Sequence, residues 1–139
     1  MCGNGPLMEV CRSYVRTNQI KNVDILGFVK QEVVRDIIAK SRYLILPTRV
    51  YEGFPMTIVE AFSEGTPVIV PDLGNAGSLV QDGVNGYKYK YGYIDSLVEC
   101  IKKSLLNSSL GESTYKSYKD SFTDKINNAI LEQIYLQIK

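Results

Sequence analysis

Short apolar runs that alternate with segments of helical period assign this chain to the α/β class, as a mainly parallel sheet with helices on both faces. Three observations carry that expectation. Apolar runs occupy residues 23–29, 43–46 and 67–70. The intervals between them carry apolar residues at helical spacing. Glycine and proline mark the ends of those intervals, above all in Glu64-Gly65-Thr66-Pro67. The length of 139 residues and a hydrophobic fraction of 45% suit one compact core, assigned here to residues 1–122, with residues 123–139 as a C-terminal helix.

The first element to justify is the turn Gly3-Asn4-Gly5-Pro6, which has the composition of a chain leaving a strand and entering a helix. Only Met1 and Cys2 precede it, so the leading strand is expected to be a stub and the boundary to be cut. Val33, Val34, Ile37 and Ile38 form one apolar stripe on a helix ending near Ser41. Ile58, Val59 and Phe62 repeat the pattern, on a helix starting near residues 55–57 and closing at Gly65, which suits a left-handed cap. Farther along, Asp72-Leu73-Gly74-Asn75 and Asp82-Gly83-Val84-Asn85-Gly86 read as turns around a short helix at residues 78–81. Residues 93–106 carry Ile94, Leu97, Val98, Ile101 and Leu105 at helical spacing, and a polar stretch covers residues 107–121. In the last helix Ile126, Ile130, Ile134 and Ile138 fall every fourth residue behind Thr123, a candidate N-cap. An exposed apolar stripe is expected there.

Composition excludes several functions. Sixteen Lys and Arg against fifteen Asp and Glu leave a net charge of +1, too little to neutralise a run of phosphates, so nucleic acid is not an expected partner. Cys2, Cys11 and Cys100 are odd in number and form no CxxC pair, which suits reduced thiols and a cytoplasmic location. The absence of histidine removes Ser-His-Asp and Cys-His systems and His-ligated zinc together. Chemistry is left to carboxylates, amides and backbone, and no metal or other cofactor is expected.

The densest chemical signal runs from Pro47 to Phe62. A buried strand ends at Leu46, a loop with an acid and a glycine follows, and a helix starts at the carboxyl end of a parallel strand, where backbone N–H groups and the helix dipole favour phosphate. Glu52 stands in the loop, and Glu60 lies four residues after Met56 on the same side of the helix. Two such carboxylates can accept hydrogen bonds from sugar hydroxyls while the amides of Phe54, Met56 and Thr57 take phosphate oxygens. Either glutamate alone reads more simply as a solvated side chain. The alternation Tyr87-Lys88-Tyr89-Lys90-Tyr91-Gly92-Tyr93 reads as a half-buried strand or loop with tyrosine on one face, more cheaply than as an aromatic binding platform.

The stretch from Glu52 to Glu60 resembles the E-x7-E signature of the retaining glycosyltransferases of family 4, whose GT-B fold sets two Rossmann-like domains face to face. Gly3-Asn4-Gly5-Pro6, Leu26-Gly27-Phe28-Val29, Leu46-Pro47-Thr48, Glu52-Gly53-Phe54-Pro55, Gly65-Thr66-Pro67-Val68-Ile69 and Asp82-Gly83-Val84-Asn85-Gly86 follow in the family's order, over about residues 3–106. The resemblance implies a Rossmann-like open parallel sheet forming a single GT-B half. It implies that Glu52 lies near the transferred sugar as the catalytic candidate and that Glu60 binds ribose hydroxyls. Gly53, Phe54, Met56 and Thr57 would offer backbone amides, and Phe28, Val29 and Lys30 would flank the base, although burial at a strand end accounts equally for Phe28 and Val29. The implied partners are a nucleotide-sugar donor and an N-terminal acceptor domain absent from this chain, with room for peripheral membrane association of a longer protein.

Two departures stand out. The loop Leu73-Gly74-Asn75-Ala76-Gly77-Ser78-Leu79 lacks the acid that the family commonly has after the glycine turn, so no catalytic role is assigned to it. The family's phosphate-clamping Arg and Lys lie upstream of this chain, which is therefore expected to be inactive alone, because the leaving diphosphate would lack its main electrostatic stabilisation. Two other readings remain: half of a nucleotide-sugar 2-epimerase, and a Rossmann-like module serving assembly alone. Dinucleotide binding is disfavoured, since Gly3-Asn4-Gly5-Pro6 does not supply G-x-G-x-x-G.

Overall fold

A computed structural model describes residues 1–106 and 110–138. The chain divides into two compact units, Met1–Ile37 and Ile38–Lys139, and the division falls within a helix.

The first unit contains α1 (Met8–Thr17) and the start of α2 (Gln31–Ala39). Residues 23–29 do not form the expected strand. Their pairing is a single parallel bridge between Cys2 and Gly27, with the Gly3 N–H donated to the Gly27 carbonyl at 2.8 Å and the Leu26 N–H to the Met1 carbonyl at 2.9 Å. The facing segment turns away at Gly3-Asn4-Gly5, so the pairing stops at this bridge and no ladder extends beyond it.

Helix α1 buries none of its residues and leaves Val10 and Tyr14 exposed. It ends in a full Schellman motif, with Gln19 N–H to Arg16 O at 3.1 Å and Ile20 N–H to Val15 O at 3.0 Å. The left-handed position is occupied by Gln19, at φ 51°, where glycine is the unstrained choice.

The second unit is built on a three-stranded parallel sheet in the order β1 (Leu44–Ile45), β2 (Val68–Pro71), β3 (Gly86–Tyr89). Helix α3 (Met56–Ser63) crosses from β1 to β2 and α4 (Gly74–Leu79) from β2 to β3, followed by α5 (Ile94–Leu106), α6 (Gly111–Ser121) and α7 (Asp124–Gln137). Every residue of β2 is buried, as expected for a strand paired on both edges and covered on both faces. Its register sets Val68 opposite both Leu44 and Gly86. The core gathers Ile58, Ala61 and Phe62 of α3 with Val68, Ile69 and Val70, and Tyr87 of β3 closes it. Helix α3 also ends in a Schellman motif, with glycine this time: Gly65, at φ 69°, donates to Phe62 O and Thr66 to Ala61 O. The buried Thr66 hydroxyl then donates to Ile38 O at 2.8 Å, so the C-terminus of α2 is satisfied from this turn.

Two expectations about helices need correction. The short helix spans Gly74–Leu79 rather than 78–81: the residues at 72–75 that read as a turn include its first turn, and Gly77 N–H to Leu73 O at 3.2 Å closes it. The polar stretch is helical from Gly111 to Ser121, while residues 107–109 lie outside the described residues. Packing rather than periodicity specifies α6. It lies against α3, with Thr114 fully buried and its hydroxyl donated to Leu110 O at 2.7 Å.

Other readings hold. Thr123 caps α7 through its hydroxyl, which accepts from Ile126 N–H at 3.4 Å. Helix α7 buries no residue and exposes Ile130, Ile134, Tyr135 and Leu136, and Ile138 at its C-cap is exposed as well. Tyr87 and Tyr89 are core residues of β3 on one face, so the strand pattern accounts for the first half of the tyrosine alternation, while Tyr91 and Tyr93 lie past β3 and are exposed.

Gly86 occupies a position with no room for a side chain: a Cβ there would stand 2.2 Å from the Val68 carbonyl oxygen. Gly86→Ala is therefore expected to destabilise the second unit by about 2–4 kcal/mol, read as a lower urea midpoint. Gln19→Gly should act oppositely, adding about 0.5–1 kcal/mol to the first unit by relieving the left-handed strain, and slower amide exchange at Ile20 would report it.

Candidate functional site

The site candidate occupies the carboxyl end of β1, where the chain leaves the sheet through residues 47–55 and enters α3. This is the crevice position at which open parallel sheets bind ligands. The loop is tied down by several local bonds. The Thr48 hydroxyl and the Val50 main chain bond each other at 3.3 and 3.4 Å, and the Tyr91 hydroxyl donates to Arg49 O at 3.4 Å. Pro55 is fully buried at the N-cap of α3, where its missing N–H costs nothing.

Both glutamates lie in the second unit and both are half-buried, Glu52 in the loop and Glu60 in the second turn of α3. Glu60 alternates with the buried Ile58, Val59, Ala61 and Phe62, so its position is set by a helix face locked into the core. Of the four residues expected to offer amides, Met56 departs from expectation. Its N–H is donated to Phe54 O at 3.0 Å. The N–H groups of Gly53, Phe54 and Thr57 meet no acceptor among the described residues, and these three remain the candidates for an anion.

Phe28, Val29 and Lys30 belong to the first unit. Phe28 is 82% exposed, which overturns burial as its explanation, whereas Val29 is half-buried. The Lys30 carbonyl accepts from Val33 and Val34 at 3.0 and 3.1 Å and so starts α2.

Sequence reasoning missed Asn75. Its side-chain Nδ2 donates to the carbonyl oxygens of both Glu52 and Gly53. Next to it Gly74, at φ 51°, lies under the Tyr51 ring so closely that a Cβ there would stand 2.7 Å from Tyr51 Cδ1. Helix α4 thus grips the acid-bearing loop although it contains no acid itself. No pattern in a single sequence pairs residue 75 with residues 52 and 53.

The Asp82-Gly83-Val84-Asn85-Gly86 stretch is structural. Asn85 is buried, accepts from Gln81 N–H at 2.8 Å and donates to Leu79 O at 3.3 Å, which holds the connection into β3. Beside the candidate site a cleft of about 480 Å³ is lined by Thr48, Arg49, Tyr89, Tyr91 and Tyr93. Burial, reinforced by the neighbouring Cys100, pushes the Tyr89 hydroxyl above its ordinary range, so it stays protonated. Among the described residues no group of His, Cys, Asp and Glu is arranged to hold a metal ion, and no helix is long and apolar enough to cross a membrane.

The fold and this loop define the chain as an α/β domain of the GT-B glycosyltransferase class. The chain belongs to the family described as glycosyl transferases group 1, whose model matches residues 1–107. It is 30% identical over 142 residues to lipopolysaccharide 1,6-galactosyltransferase of Escherichia coli strain K12, covering 95% of this chain and 39% of that protein. An uncharacterised glycosyltransferase of Methanocaldococcus jannaschii is 30% identical over 117 residues, covering 81% of this chain and 33% of that protein. The solved lipopolysaccharide outer core galactosyltransferase WaaB, in its apo form, superposes with a TM-score of 0.75 at 28% identity, over 95% of this chain and 40% of that one. The Anabaena protein HepE in complex with UDP and glucose shares the fold, with a TM-score of 0.76 at 23% identity over 96% of this chain and 39% of that one. The chain therefore spans between 33% and 39% of the length of the two curated relatives.

One ring holds the loop to the helices beneath it. Phe122, between α6 and α7, stands 6.5 Å from Phe54 and 6.1 Å from Phe62, centroid to centroid. Phe122→Ala is expected to cost about 2 kcal/mol in urea unfolding, less than a fully buried phenylalanine because the ring is half-buried.

Proposed function

We propose that this chain is the donor-binding domain of a retaining, family 4 glycosyltransferase that moves a sugar from a nucleotide diphosphate sugar to a glycan or lipid acceptor. One observation carries the reading: a loop at the carboxyl end of β1 presents the half-buried Glu52, three N–H groups without acceptors among the described residues and, one helical turn on, Glu60. The division of labour follows from the chemistry. Carboxylates accept hydrogen bonds and so suit hydroxyls, with Glu60 on the ribose and Glu52 near the transferred sugar. Backbone N–H groups donate and so suit the phosphates. UDP bound to HepE, a protein of the same fold, makes a nucleotide the natural probe.

Catalysis in this reading proceeds on the front face, with the leaving phosphate assisting the incoming hydroxyl and no metal ion called for. The amides of Gly53, Phe54 and Thr57 contribute part of the stabilisation of the departing diphosphate. The cationic part and the acceptor site come from an N-terminal domain, so this chain by itself binds donor without transferring sugar. A cytoplasmic site of action suits a supply of nucleotide sugars and a peripheral encounter with a lipid-borne acceptor.

Isothermal titration of the chain with UDP, GDP and ADP tests the reading. One nucleotide is expected to bind, and Glu60→Ala to weaken it by about tenfold or more, as loss of a charge-assisted hydrogen bond to ribose would. A chain that keeps its circular dichroism spectrum yet takes none of the three would count against donor binding.

A further inference from the structure

We infer that Asn75 is a positioning residue for the donor site: it holds two consecutive peptide groups so that the N–H groups of Gly53 and Phe54 face a phosphoryl oxygen. The inference rests on the donor-binding reading and deepens it.

The geometry begins with one side-chain nitrogen. Asn75 Nδ2 carries two hydrogens, and it donates to the Glu52 carbonyl at 3.1 Å and also to the Gly53 carbonyl. Both peptide units are trans, like every other peptide bond among the described residues, so in each the N–H points opposite to the C=O. Drawing the carbonyls of Glu52 and Gly53 together onto Nδ2 therefore turns the N–H groups of Gly53 and Phe54 away from it. Those N–H groups have no acceptor among the described residues. Successive N–H groups held on one side of the backbone form a concavity suited to an anion.

The clamp is itself braced. Helix α4 packs on the fully buried β2, and the Tyr51 ring rests on the bare Cα of Gly74, so the residue beside Asn75 also touches the residue before Glu52. The Asp72 N–H, just ahead of α4, is donated to Tyr89 O at 2.8 Å and anchors the approach to the sheet. The clamp thus transmits the rigidity of the sheet to a loop that lacks regular structure of its own.

The test uses the ¹⁵N-labelled chain with UDP, and GDP and ADP in parallel, in wild type, Asn75→Ala and Asn75→Asp. The aspartate variant keeps the shape of asparagine while losing the donor, and the alanine variant loses the donor without adding charge. Both are expected to weaken binding by about tenfold and to move the Gly53 and Phe54 amide resonances while those of residues 68–70 stay in place. Affinity in Asn75→Ala within about twofold of wild type overturns the inference, and so does a loss confined to Asn75→Asp, which would be a charge effect. If wild type binds none of the three nucleotides, the donor-binding reading falls, and the clamp is judged on resonances alone. Gly53 and Phe54 signals that stay put in Asn75→Ala overturn it, and signals that move support it.

Discussion

Strand β2 has solvent on no side, and the rest of the second unit is arranged to keep it so. Its four residues pair with β1 on one edge and β3 on the other, and each pairing ties down a different end of the functional region. The ladder to β1 fixes where the acid-bearing loop departs. The ladder to β3 requires Val68 and Gly86 to approach so closely that only glycine fits. Burial of a whole strand demands that every backbone polar group find a partner within the protein, and here the neighbouring strands and the Asn85 carbonyl supply them. The site loop is irregular, yet its ends and its middle are attached to this strand and its followers.

Much of this arrangement is readable from the amino-acid order because it rests on local rules. The helix around Ile58 and Phe62 announces itself by periodicity, Gly65 by the need for a left-handed cap, and Thr123 by its place before an apolar repeat. The missed elements depend on contacts remote in sequence. Helix α6 has a polar composition and forms because Thr114 and Leu110 are buried in its packing. The segment 23–29 has the composition of a strand, but pairing requires a partner, and a single bridge to Cys2 is what it obtains. Asp72 to Asn75 read as a turn by residue type, and packing on β2 carries the last two of them, Gly74 and Asn75, into a helix.

The candidate site divides in the same way. Glu52 and Glu60 stand out by spacing, since a strand end, a glycine loop and a helix start lie in one contiguous stretch. Asn75 does not, because nothing local distinguishes it from any other polar residue at a helix start. Met56 illustrates a third case: its amide sits at the right place in the chain, but the tight turn of Phe54 claims it. Side-chain type and position predict what a residue can donate, whereas the fold decides to whom.

The tilted packing of Phe122 against Phe54 and Phe62 places a joint between two helices beside the loop that carries Glu52. Phe122 is the residue at which the chain bends from α6 into α7, so it is an axle as much as a packing group. The packing of the acid-bearing loop therefore shares a side chain with the joint that launches the C-terminal helix, so the two regions draw on one patch of apolar contact.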